Sequence, residues 1–206
     1  MFSEKTETFQ KILSFLVEIE KLKAVLRKTK PVNFQRFENS AEHSWHVSLA
    51  CLLLAPHADA EIDVLKVLKM MLIHDVVEID TGDHIIYSDA HNNYEEELAA
   101  ATRIFGLLPK EQGDDLLAVW NEFEIGDSAE AVFARAIDRV LPVTQNLHNN
   151  FQSWVENDIR LDQVLEKNAH IGEASETLWR LLKTKIEDGS VDGKFSPHPG
   201  SGNEPG

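Results

Sequence analysis

Along residues 4–28 the apolar positions fall three and four apart: Phe9, Ile12, Leu13, Leu16, Ile19, Leu22, Val25 and Leu26. That period predicts an amphipathic helix, and Pro31 ends it, because the residue before a proline avoids helical backbone angles. A loop over residues 30–39 contains Arg36. A second helix starts near Asn39 or Ser40, where Asn39 and Glu42 have the spacing of a capping box. His43 and His46 occupy its first turns, Val47–Leu54 is apolar, and Pro56 ends it. The third helix, residues 62–79, has hardly any polar face after Lys69. A helix that is hydrophobic all round is normally buried, so this one is expected to carry His74, Asp75 and Glu78 into the interior. Thr81-Gly82-Asp83 closes it with a turn whose glycine supplies backbone angles other residues avoid.

Residues 84–92 read as a surface loop, and helices follow over 93–107, 110–123, 128–149, 159–168 and 171–187. Pro142 lies inside the 128–149 helix and predicts a kink beside Asp138. No stretch has a convincing strand pattern, so the expected fold is all-α with a single domain over residues 1–188. Residues 189–206 hold five of the ten glycines and three of the seven prolines, a composition expected of a flexible tail.

Composition narrows the function. The 206-residue chain suits one domain, with 43% hydrophobic and 27% charged residues, ordinary values for a soluble globule. No apolar run reaches the roughly 18 residues of a membrane span, and the N-terminus lacks the layout of a signal peptide. Cys51 is the one cysteine and sits in an apolar run as a small core residue. A cytoplasmic protein is expected. The formal net charge is −15, and residues 1–30 hold seven Lys/Arg against four Glu, leaving −18 on the remainder. That balance argues against a nucleic-acid polymer as partner. An anionic substrate would need a metal ion or individual arginines.

Buried ionisable groups need partners, and a divalent cation suits a His beside an Asp. The candidates are His43, His74, Asp75 and Asp138, contributed by three different helices. Two imidazoles and two carboxylates form a mixed site suited to Mn²⁺, Co²⁺, Fe²⁺, Ni²⁺, Zn²⁺ or Mg²⁺. Four protein donors around a six-coordinate ion leave two places for water, as a catalytic site requires. Glu78 stays beside the ion as a free carboxylate. His84 reads as a rim residue within reach of substrate, His46 as a core or supporting imidazole, and Trp45 as a pocket-wall residue. Glu95-Glu96-Glu97 reads as a solvated helix face.

The segments Arg36-Phe37-Glu38-Asn39-Ser40-Ala41-Glu42-His43, His74-Asp75-Val76-Val77-Glu78-Ile79-Asp80-Thr81-Gly82-Asp83 and Ala136-Ile137-Asp138 resemble the HD-domain metal-dependent phosphohydrolases. Within them the chain is most similar to the 5′-deoxynucleotidase branch. The resemblance implies an α-helical bundle, usually a homodimer, that hydrolyses deoxynucleoside 5′-monophosphates. It also implies ligand roles for His43, His74, Asp75 and Asp138, and catalytic roles for Glu78 and Asp83. Arg36, and Arg27 as the match to a basic residue, are implied on the substrate side. The branch places an aromatic next to that basic residue to select deoxyribose, whereas Leu26-Arg27-Lys28-Thr29-Lys30-Pro31 contains none. Other phosphorylated small molecules therefore stay open as substrates, as does a nucleotide-sensing module with a structural ion.

Overall fold

A computed structural model describes residues 2–84, 86–87 and 94–191. The first helix, α1 (Phe2–Ile19), tightens into a 3₁₀ turn at Glu20–Ala24 and stops well before Pro31. The apolar period there is overridden by backbone pairing. Val25 is extended, Ser40 N donates to Val25 O at 3.0 Å, Arg27 N to Glu38 O at 2.8 Å, and Glu38 N to Thr29 O at 2.9 Å. This short ladder turns Arg27 inward beside the start of the next helix.

That helix, α2 (Ser40–Leu54), begins with the expected capping box, in which Asn39 accepts from Glu42 N and Glu42 from Asn39 N. Ser40, His43, Ser44, Val47, Ser48 and Cys51 form its buried stripe, the three- and four-residue spacing of one helical face. α3 (Val64–Ile73) is capped by Asp63, whose side chain accepts from Leu65 N and Lys66 N.

The expected continuous helix over 62–79 does not form. Ile73 departs from helical angles at φ −121° and ψ −9°, a 3₁₀ turn covers His74–Val77, and the short α4 (Glu78–Thr81) follows. Burial all round fails as well. Val67, Met70 and Met71 are enclosed, but Leu65 and Leu72 are more than half exposed. What is buried throughout is the turn, His74 to Val77, packed against α2 and α5. Gly82 ends α4 at φ +76°.

The remaining helices are α5 (Tyr94–Phe105), α6 (Lys110–Ile125), α7 (Ala129–His148), α8 (Gln152–Glu156), α9 (Leu161–Asn168), α10 (Ile171–Ala174) and α11 (Glu176–Val191). α7 is the central post. Ser128 caps it, it packs on α2, α3, α6, α10 and α11, and it runs uninterrupted through Pro142. Asn146 Nδ2 donates to Pro142 O. The core around it includes Phe133, Ile137, Trp120, Phe105 and Ile171. Among the described residues no strand occurs beyond one isolated bridge, Leu26 with Asn39, so the fold is all-α. No described helix is long and apolar enough to cross a membrane. α11 extends three residues past the expected domain end at 188. The rest of the expected tail, and most of the expected 84–92 loop with His91, lie outside the described residues.

Candidate metal centre

Three elements bring four donors together: α2 supplies His43, the 3₁₀ turn supplies His74 and Asp75, and α7 supplies Asp138. One donor atom each from His43, His74 and Asp75 lie within 4.8 Å of one another. Asp138 Oδ1 is 2.8 Å from His43 Nε2 and 3.5 Å from His74 Nε2, and Asp75 Oδ1 is 3.1 Å from His74 Nε2. All four residues are buried. His74 Nδ1 donates to Met71 O at 2.9 Å, which turns Nε2 toward the carboxylates, and that buried Nε2 makes no hydrogen bond among the described residues. An enclosed nitrogen without a partner, facing two carboxylates, fits a metal ligand.

The charge balance agrees. Glu38, Asp75, Glu78, Asp83 and Asp138 gather around the buried Arg27 and the half-buried Arg139. Five carboxylates against two guanidiniums leave −3 if all are ionised, a deficit a divalent cation would relieve. Without an ion the side chains respond by shifting their pKa values. Burial, reinforced by the charge of Asp75, pushes the Glu78 carboxyl well above its ordinary range. Burial likewise raises Asp83. Burial alone would lower His74, but Asp75 and Asp138 outweigh it and hold the imidazole at about 9. Asp138 goes the other way, because Arg139 and the two histidines overcome burial.

Arg27 is the hub of this cluster of carboxylates. Its guanidinium donates to Asp75 Oδ2 at 2.7 Å and stands 3.7 Å from Asp83, 3.8 Å from Glu38 and 3.9 Å from Glu78. Burial would lower its pKa, but the surrounding carboxylates raise it instead, so it stays charged. Glu78 is held by Ser40, which donates its hydroxyl to Oε2, leaving Oε1 toward Arg27. A cleft of roughly 360 Å³ opens over His74, Asp75 and Asp138, walled by Arg27, Glu78, Asp83, His84, Arg135 and Arg139. His84 is exposed at its rim.

Arg36 is not brought to this cleft. It is more than half exposed and pairs with Glu42, the capping-box residue in the first turn of α2. His46 is also outside: it is exposed and stacked on Trp45, itself 64% exposed, so neither belongs to the core or the pocket wall. Arg139, which the sequence pattern does not single out, donates from Nη2 to Asp138 Oδ2 at 2.6 Å. Its adjacency to Asp138 was the only signal. Glu97, read as part of a solvated face, lines the cleft with Glu124. Burial raises both carboxyls, that of Glu124 to about 7. Both sit on helices whose periodicity did not distinguish them from ordinary surface acids.

An all-α scaffold that closes two histidines and two aspartates over an open cleft defines a helical metal-site protein. The chain belongs to the HD domain family, whose model matches residues 19–179. It is similar to a predicted metal-dependent phosphohydrolase from Magnetospirillum magnetotacticum MS-1, with a TM-score of 0.88, 36% identity, and coverage of 93% of this chain and 97% of that one. Human 5′-deoxynucleotidase HDDC2 is 27% identical over 140 residues, which span 65% of this chain and 66% of the human protein, just under two thirds of its length. A conserved hypothetical protein from Pyrococcus furiosus shares the fold at a TM-score of 0.58 and 21% identity, covering 85% of this chain and 99% of that one.

Proposed function

We propose that the protein is a metal-dependent phosphohydrolase that releases phosphate from (deoxy)nucleoside 5′-monophosphates. The observation that carries this reading is the convergence of His43, His74, Asp75 and Asp138 beneath an open cleft, with His74 Nε2 3.1 Å from Asp75 and 3.5 Å from Asp138 and with Glu78 beside them, fastened by Ser40. Family membership and the similarity to HDDC2 support it from outside the site. His43, His74, Asp75 and Asp138 would hold the ion, one of Mn²⁺, Co²⁺, Fe²⁺, Ni²⁺, Zn²⁺ or Mg²⁺. A divalent ion supplies Lewis acidity toward a phosphate oxygen and lowers the pKa of water.

The chain's own groups provide the rest. Glu78, fixed by Ser40 at Oε2, takes the proton of the attacking water at Oε1. Arg27 and Arg139 bracket the phosphate with N–H donors from two sides of the cleft. Arg36, bound to Glu42, takes no part. Asp83, which lines the cleft 3.7 Å from Arg27, returns a proton to the leaving 5′-oxygen. His84 contacts the substrate at the rim. A cytoplasmic homodimer belongs to the same reading. Its support is the apolar side chains that α1 and α2 leave in solvent, Phe9, Leu13, Leu16, Leu52 and Leu53 among them.

Lys28, Thr29 and Trp154 line a recess that shares Arg27, Asp83 and Arg139 with the cleft, with a lysine beside Arg27 rather than an aromatic. The test therefore spans both sugars. Chelator-stripped protein is assayed with Mn²⁺, Co²⁺ and Mg²⁺ against dAMP, AMP, the other nucleoside monophosphates and simple phosphomonoesters. Ion-dependent phosphate release from the monophosphates is expected. No release from any of them with any ion contradicts the reading.

A further inference from the structure

Among the described residues, two nitrogens buried at this site, Arg27 Nε and His43 Nδ1, make no hydrogen bond. Both face the same oxygen: Glu38 Oε2 is 3.8 Å from Arg27 Nε and 3.5 Å from His43 Nδ1. Glu38 is itself only 2% exposed, deeper than a carboxylate goes without a reason. Its other oxygen accepts from Gln145 Nε2 at 2.7 Å, and Thr29 Oγ1 donates to Oε2 at 3.4 Å. Its backbone pairs with Arg27 and Thr29. Gln145 lies on α7, seven residues and about two turns beyond Asp138, and so on the same side of that helix.

We infer that Glu38 is the positioning residue of the site, a buried carboxylate that aims His43 at the ion and Arg27 at the phosphate. The inference rests on the metal reading above and adds a residue to it. Donation of His43 Nε2 to an ion requires the proton on Nδ1, and the acceptor set opposite Nδ1 is Glu38 Oε2. The 3.5 Å separation is long for a hydrogen bond, so pairing in the loaded site requires Nδ1 and Oε2 to draw closer. Through Gln145, the same carboxylate ties the orientation of His43 to the helix that presents Asp138. Glu38 touches neither the ion nor the substrate, so its effect travels through His43 and Arg27.

Calorimetric titration of chelator-stripped protein with Mn²⁺, together with NMR of the Zn²⁺-loaded protein, tests this. Glu38→Gln keeps the shape and removes the charge. Metal affinity is expected to fall by about 10- to 100-fold, the range found when a carboxylate behind a ligating histidine is lost. The His43 Nδ1 proton should move upfield and exchange faster with solvent, a change that a merely structural role would not produce. Gln145→Leu, which leaves the carboxylate and removes its anchor, should weaken affinity in the same direction by a smaller factor and serves if Glu38→Gln does not fold. A folded variant that binds Mn²⁺ as tightly as the wild type, or whose His43 proton is unmoved, overturns the inference. Wild-type protein that binds no divalent ion overturns the metal reading instead, so the two failures are distinct.

Discussion

Arg27→Met is expected to destabilise the ion-free protein by about 3–5 kcal/mol at neutral pH, the cost of removing one partner from a buried charge set. The guanidinium faces Asp75, Asp83, Glu38 and Glu78 within 3.9 Å, and methionine fills the volume without answering any of them. Thermal unfolding across pH measures it, and the direction with pH is fixed. The wild-type carboxyls of Glu78 and Asp83 already sit above their ordinary values because burial disfavours the charged form. Without Arg27 they rise further. A carboxyl whose folded pKa exceeds its unfolded one favours the native state below the unfolded value, and that advantage disappears as pH rises through the folded value. The variant should therefore approach wild-type stability in mild acid and fall away from it toward pH 8. A penalty that is small, or that does not shrink on acidification, would contradict the hub role of Arg27.

Glu78→Ala should retain the ion and lose turnover by ~10²-fold or more, the usual contribution of a positioned general base. Glu78 lies beside the four donors and is fastened by Ser40 instead of by them, so ion affinity and phosphate release separate in this variant. Mn²⁺ titration alongside a phosphate-release assay reads both quantities. Near wild-type turnover removes Glu78 from the mechanism. Loss of the ion would make it a ligand instead.

The two effects lie on residues that the sequence presents unequally. His43, His74, Asp75 and Asp138 were readable because ionisable side chains interrupt apolar helices, and burying them without partners is costly. Glu78 followed from its place after His74-Asp75. The path of the chain around them was not readable. Residues 62–79 have a helical pattern throughout, yet the turn tightens at His74, and no local propensity distinguishes Ile73 from its neighbours. Leu65 and Leu72 also look like core residues in sequence, and only the packing of α3 against α2, α6 and α7 decides which of its apolar positions meet solvent.

Arginines show the same limit. Arg27 falls within the apolar period of the first helix, and the long-range pairing of residues 25–29 with 38–40 is what turns it inward. Arg36 sits closer to His43 in sequence, but Glu42 holds it on the surface. Arg139 and Glu38 adjoin recognisable residues and contact Asp138 and His43 respectively, and the hydrogen bond from Gln145 to Glu38 arises only when α2 and α7 are brought side by side. Helical periodicity locates a face; it does not say which long polar side chain crosses from one element to another.

The proposed metal centre joins His43, His74, Asp75 and Asp138 to one cation with room for solvent and substrate. Anomalous diffraction from crystals grown with Mn²⁺ tests it most directly. The expected result is a single strong peak bonded to all four side chains, with the remaining coordination positions open to the cleft. A peak elsewhere, an ion that leaves Asp138 unbound, or one enclosed wholly by protein atoms would contradict it.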